Sequence, residues 1–160
     1  MNKPVNPVET NDNLQEQAMQ RSNTDNAPRS AIHQTLYSAD TFVQHDYLAG
    51  KALPDIARPQ EGQINWLHFV GINDAALLKH ALEPYGIHEL VIEDILSRKQ
   101  RPKIEDYGSY VFTAAQVYHY TTTGKLHSDQ VYVIIGKDFV LSFQQKPLGL
   151  FSHLRRQMHE

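Results

Sequence analysis

Apolar positions along the chain change period several times, and each change marks an element. Over residues 32–37, and more weakly over 41–47, apolar and polar side chains alternate as on strands with one face on a core. Residues 51–62 carry Pro54, Pro59 and Gly62 and read as a loop with room for one helical turn. A third strand is predicted over 64–70, with Trp66 in it. From Asn73 the period lengthens. Leu77, Leu78, Ala81, Leu82 and Tyr85 recur at spacings of three and four, which predicts a helix to about Tyr85 with Asn73 as its N-cap. Pro84 weakens the last turn and Gly86 stops it. A shorter helix is predicted over 89–97, with Val91, Ile92, Ile95 and Leu96 on one face and Glu89, Glu93, Asp94 and Ser97 on the other. Pro102 closes the basic loop 98–101 and pushes the chain into extended backbone. Strands follow over 110–120, 130–135 (apolar on both faces, as a central strand is) and 139–144, joined by turns at 122–125 and 136–138. Leu150, Phe151, Leu154 and Met158 form a final helical stripe starting near Leu148. Its pattern runs to Glu160 with no Gly, Asn or Pro to close it, so the expectation is a piece of a longer protein.

Strands, two helices, a three-stranded meander and a helix, in that order, predict an α/β fold: a mixed, partly antiparallel sheet with helices against it. The 160 residues suffice for one domain with a core. Residues 1–30 are polar and Asn-rich, lack aromatic side chains, and are expected to be a disordered tail, leaving 31–160 as the domain. The longest apolar run, 131–135, is far short of the roughly 20 residues of a membrane helix.

Composition removes several functions. A net charge of −3 gives no basic footprint for nucleic acid. Without cysteine there are no disulfides, no thiolate nucleophile and no Cys-type zinc site. No glycine-rich phosphate loop or nucleophile elbow is present, so an enzyme is not expected.

The candidate chemistry is acidic. Glu93 and Asp94 are neighbours on the second predicted helix, about 100° apart round its axis. Mg²⁺ keeps several waters and takes one or two carboxylates, so such a pair makes a sensible half-site. On spacing alone an ordinary solvated helix face is the simpler reading. The nine histidines include no pair at the i, i+4 spacing of a zinc helix and read as structural or exposed. Arg98, Lys99, Arg101 and Lys103 form a basic cluster that could meet phosphate or acidic lipid, but better matches neutralisation of Glu105, Asp106 and the helix C-terminus.

Several stretches carry a resemblance. They are Ile64-Asn65-Trp66-Leu67-His68-Phe69, then the run from Gly86 to Leu96 with its Glu-Asp-Ile-Leu, then Gln100-Arg101-Pro102-Lys103-Ile104-Glu105 and Tyr110-Val111-Phe112. Asp129-Gln130-Val131 and the segments 139–144 and 151–156 continue it. Over residues 30–160 the chain resembles the N-terminal cytoplasmic domain of the CorA family of divalent-cation transporters. The resemblance implies an α/β/α sandwich with a central mixed, partly antiparallel sheet, leading into a stalk helix and two membrane helices beyond this chain. It implies a homopentamer on the cytoplasmic face of the cell membrane, transporting Mg²⁺ with Co²⁺ also carried. It further implies that Glu93 and Asp94 form half of a weak regulatory Mg²⁺ site whose remaining ligand comes from a neighbouring copy. The zinc-transporting branch of the superfamily (Zn²⁺ in place of Mg²⁺) and a freestanding soluble interaction module stay open as alternatives.

Overall fold

The computed structural model describes residues 30–48 and 53–158; the expected N-terminal tail, the start of the 51–62 loop and His159 lie outside them. Seven strands form one sheet: β1 (Ala31–Tyr37), β2 (Phe42–Leu48), β3 (Ile64–Val70), β4 (Lys103–Asp106), β5 (Tyr110–Tyr120), β6 (Leu126–Gly136) and β7 (Phe139–Gln144). Their spatial order is β2-β1-β3-β7-β6-β5-β4. Every neighbouring pair is antiparallel except β3 and β7, so the sheet is mixed. After β3 the chain crosses one face as α1 (Ala75–Leu82), a 3₁₀ turn (Glu83–Tyr85) and α2 (Glu89–Ser97), reaches the far edge at β4, and meanders back to lay β7 beside β3. Then α3 (Ser152–Gln157) follows on the other face.

Strand alternation explains the two faces. Leu67 and Phe69 of β3 join Leu141 and Phe143 of β7 in the main core, under Leu78 and Leu82 of α1 and Val91, Ile92 and Ile95 of α2. Phe69 and Phe143, partners in the parallel register, stack at 4.8 Å. Each such large side chain contributes about 1.5–3 kcal/mol by leaving water. The intervening Trp66 and His68 point the other way, where the Phe151 ring meets them edge-on at 5.5 and 5.0 Å. Helices therefore cover both faces, the α/β/α arrangement that was expected, with α3 as a thin second layer. Ile135 and Val111, paired across β6 and β5 on this second face, stay exposed.

Five elements differ from the sequence reading. Asp74, not Asn73, caps α1: its carboxylate accepts from the N–H groups of Ala76 and Leu77. The α-helix ends at Leu82, before Pro84, and the predicted last turn is 3₁₀. The extended backbone after Pro102 is a true edge strand, β4, and β6 begins at Leu126 rather than at residue 130. The described part of the 53–62 loop contains no helix. The final helix starts at Ser152, after a turn, rather than near Leu148.

Candidate metal centre

The site is built on α2. His88 caps this helix, its Nδ1 accepting from the Leu90 N–H, while the His88 N–H donates to the Tyr110 hydroxyl of β5. Val91, Ile92 and Ile95 are buried beneath the helix and fix its rotation. That rotation leaves Glu93 exposed and turns Asp94 toward β4, with its side chain 23% accessible. The two carboxylates thus share a helix but have different surroundings. Glu93 has no hydrogen-bond or ion-pair partner among the described residues; its charge acts on Lys79, whose ammonium is bonded by Glu89.

Asp94 is fully engaged. Its Oδ2 accepts from Lys103 Nζ at 2.7 Å, and its Oδ1 accepts from Gln100 Nε2 at 2.7 Å. The same ammonium donates to Glu105 Oε1 at 3.0 Å, and Tyr107 donates its hydroxyl to Glu105 Oε2. Lys103 and Glu105 lie two apart on β4, so strand alternation puts them on one face, the face α2 covers. The Lys103 ammonium also lies 5.5 Å from the Phe112 ring centroid. The hydrogen bond to Asp94 is the main cause that raises the Lys103 pKa above its ordinary value, against partial desolvation and with help from Glu105. A cation held between two carboxylates is therefore already part of this structure. Nothing in the basic run had marked Lys103 apart from Arg98, Lys99 and Arg101. The signal that distinguishes it is the Lys-x-Glu alternation, which has meaning only once 103–106 is read as a strand.

Of the neutralisation expected of the basic cluster, the ion pair seen among the described residues is that of Lys103 with Glu105, and Lys103 also bonds Asp94. Arg98 donates to Asn73 Oδ1, and Asp106 accepts from the Gly108 N–H. Among the described residues no three His, Cys, Asp or Glu side chains converge as a metal cluster. Of the two carboxylates, Glu93 has no partner among the described residues, and Asp94 would have to release Lys103 before its Oδ2 could take an ion.

Residues 61–160 match the model of the CorA-like Mg²⁺ transporter protein family, which takes in α2, β4 and all residues of the candidate centre. The chain belongs to this family. Within it, the chain is 37% identical over 94 residues to the cobalt/magnesium transport protein CorA of Thermotoga maritima, an alignment covering 58% of this chain and 27% of that protein. The chain thus spans about a quarter of that CorA protein's length. The CorA magnesium transporter of Methanocaldococcus jannaschii shares the fold at a TM-score of 0.57 and 11% identity, over 80% of this chain and 36% of that one. The cytoplasmic domain of ZntB from Vibrio parahaemolyticus does so at 0.53 and 9%, over 80% and 50%. These likenesses show that the chain has the fold shared by these domains. No helix among the described residues is long and apolar enough to cross a membrane.

Proposed function

We propose that this chain is the metal-sensing domain of a divalent-cation transporter, on the cytoplasmic face of the membrane, and that Glu93 and Asp94 supply half of a Mg²⁺ site completed by a neighbouring copy. The observation that supports it most directly is the ammonium of Lys103, which lies between Asp94 and Glu105 where a cation is favoured. Exchanging that ammonium frees Asp94 Oδ2 for a metal ion without unfolding anything, because Lys103 sits on an edge strand and is 28% exposed. Glu93, exposed one position earlier on the same helix, is open to a second subunit. In such an arrangement the ion ties copies together and favours whichever assembly state builds its site, so falling Mg²⁺ inside the cell releases that state. Magnesium, with cobalt as a second cargo, follows the named activity of the Thermotoga relative.

The test uses the full-length protein reconstituted in vesicles. Replacing Glu93→Ala together with Asp94→Ala is expected to keep Mg²⁺ uptake high when internal Mg²⁺ is raised, where the parent protein slows. An unchanged response to internal Mg²⁺ removes these two residues from the sensor. Running the same vesicles with Co²⁺ and Zn²⁺ decides between the magnesium reading and the zinc branch, for which the fold likeness to ZntB is the support.

A further inference from the structure

We propose a second site beside the metal half-site: the cleft between the α2–β4 loop and the outer half of the β5–β6 hairpin binds a multiply charged phosphate group. The cleft has a volume of about 500 Å³, within the range of small-molecule sites. Arg98, Lys99 and Arg101 line one side and Lys146 the other, with Gln116 and Ser128 on its hairpin wall. One carboxylate, Asp129, faces these four cations, and it lies 3.5 Å from Lys146 Nζ and 3.7 Å from His119 Nε2. The cleft is thus positive on a chain whose net charge is −3. Among the described residues, Lys99 and Arg101 have no hydrogen-bond or ion-pair partner.

The loop that presents these cations is fixed before any ligand arrives. The Gln130 side chain holds the Gln100 backbone from both sides, accepting from its N–H and donating to its carbonyl. Tyr132 in turn donates its hydroxyl to Gln130 Oε1 at 2.6 Å. Gln100 Nε2 bonds Asp94 and the Ser97 hydroxyl, tying the loop to α2. Pro102 stiffens its exit. Arg98 itself is the only non-glycine residue with positive φ (55°) among the described residues, at a helix C-terminus where glycine is the favoured choice. Arginine in that conformation carries a steric cost; it lines the cleft while its guanidinium donates to Asn73 Oδ1. Guanidinium and ammonium groups carried on a fixed loop backbone beside a polar wall suit phosphate oxygens, which take charge-assisted and bidentate hydrogen bonds. The phosphate would belong either to a soluble nucleotide or to a lipid headgroup, since both present the same oxygens.

The experiment uses the full 160-residue chain, free of divalent ions, in about 0.15 M salt so that diffuse attraction is screened. Calorimetry with pyrophosphate and with ATP forms one arm; co-sedimentation with phosphatidylcholine vesicles containing phosphatidylinositol phosphate forms the other. Saturable binding in the first arm identifies a soluble ligand, and binding in the second arm alone identifies a headgroup. The triple variant Arg98→Gln, Lys99→Gln, Arg101→Gln is expected to weaken binding about a hundredfold, as loss of charged hydrogen bonds implies. A control with the same charge loss elsewhere, Arg58→Gln, Lys125→Gln, Lys137→Gln, should weaken it by no more than about threefold. All six positions are exposed, so the fold survives both sets of changes. Equal weakening by the two triples, or no saturable binding in either arm, overturns the proposal.

Discussion

In the proposed site, Lys103 sets the terms for a metal ion. Its ammonium would have to leave Asp94 before a cation could take that oxygen, so it would act as a built-in competitor. Lys103→Met removes the charge and keeps an apolar stem to lie near Phe112. We expect this variant to bind Mg²⁺ about three- to tenfold more tightly by calorimetry, as a close ion pair no longer has to be broken; tighter binding that persists after adding Asp94→Ala would show that the gain arises elsewhere. The raised pKa of Lys103 makes a pH statement of definite sign. A group whose folded pKa exceeds its unfolded value stabilises the fold below the unfolded value, here 10.5, and that contribution fades as pH rises through the folded one. His68 behaves in the opposite sense. It is buried on β3, its Nδ1 2.8 Å from the Ser142 hydroxyl and its Nε2 3.1 Å from Gln144 Oε1. Gln144 Oε1 can only accept, so Nε2 carries the hydrogen of the neutral ring, and the Ser142 hydroxyl, which accepts from Trp66 Nε1, donates to Nδ1. Burial, with Arg155 and His33 nearby, lowers its pKa from 6.5 to about 4. As pH falls the unfolded chain takes up this proton first, so stability is lost between 6.5 and about 4, by up to about 3 kcal/mol. Urea midpoints measured across that window should fall more steeply for the parent protein than for His68→Gln; parallel slopes would mean that His68 does not titrate this way.

At the level of elements, the sequence was most readable where periodicity and burial coincide. The stripe of α1, the α2 boundaries and the strands β3, β5 and β7 follow directly from apolar spacing, because each buries one face against the same core. β4 escaped because an edge strand of four residues with alternating charges, Lys103-Ile104-Glu105-Asp106, has no apolar signal to show; Ile104, its one large apolar side chain, is 75% exposed. The early half of β6 escaped for the same reason, since 126–129 lies on a hairpin whose side chains are largely in water. With β4 unseen, the Asp94–Lys103–Glu105 chain was unreadable: the pair Glu93 and Asp94 was legible, but not which partner each would find. Asp74 and Asn73 are both competent caps, and only the backbone geometry chooses between them. The β6–β7 turn illustrates a constraint that composition hides. A Cβ on Gly136 would run into the Phe139 ring, which packs against Tyr85 at 4.8 Å. Gly136→Ala should therefore cost about 1–3 kcal/mol in urea unfolding by displacing that ring. Adding Phe139→Leu should return part of the loss; a Gly136→Ala protein as stable as the parent would show that the ring moves aside freely.

For the whole molecule, the question is how much of a metal site one chain holds. The fold places α2 on the outside of the sandwich, with Glu93 exposed and Asp94 reached from the surface, so a second copy can approach both. One chain alone offers few carboxylates to an ion that holds its water strongly, which sets the affinity of the single domain near the millimolar range. Ligand that binds only the folded state stabilises it by RT ln(1 + [L]/Kd), so about 10 mM Mg²⁺ at a Kd of about 1 mM contributes about 1.4 kcal/mol. For a domain of this size that is a rise of about 5 °C in the thermal midpoint. Dilute protein should show this modest shift, and Glu93→Ala with Asp94→Ala should remove it. If copies complete one another's sites, the shift should grow with protein concentration at fixed Mg²⁺, because association adds the missing ligands, and sedimentation should show larger species in the same samples. A shift that is large at high dilution, matching a micromolar Kd on a monomer, would mean that this chain builds a complete site by itself, and the shared-site reading would then be wrong.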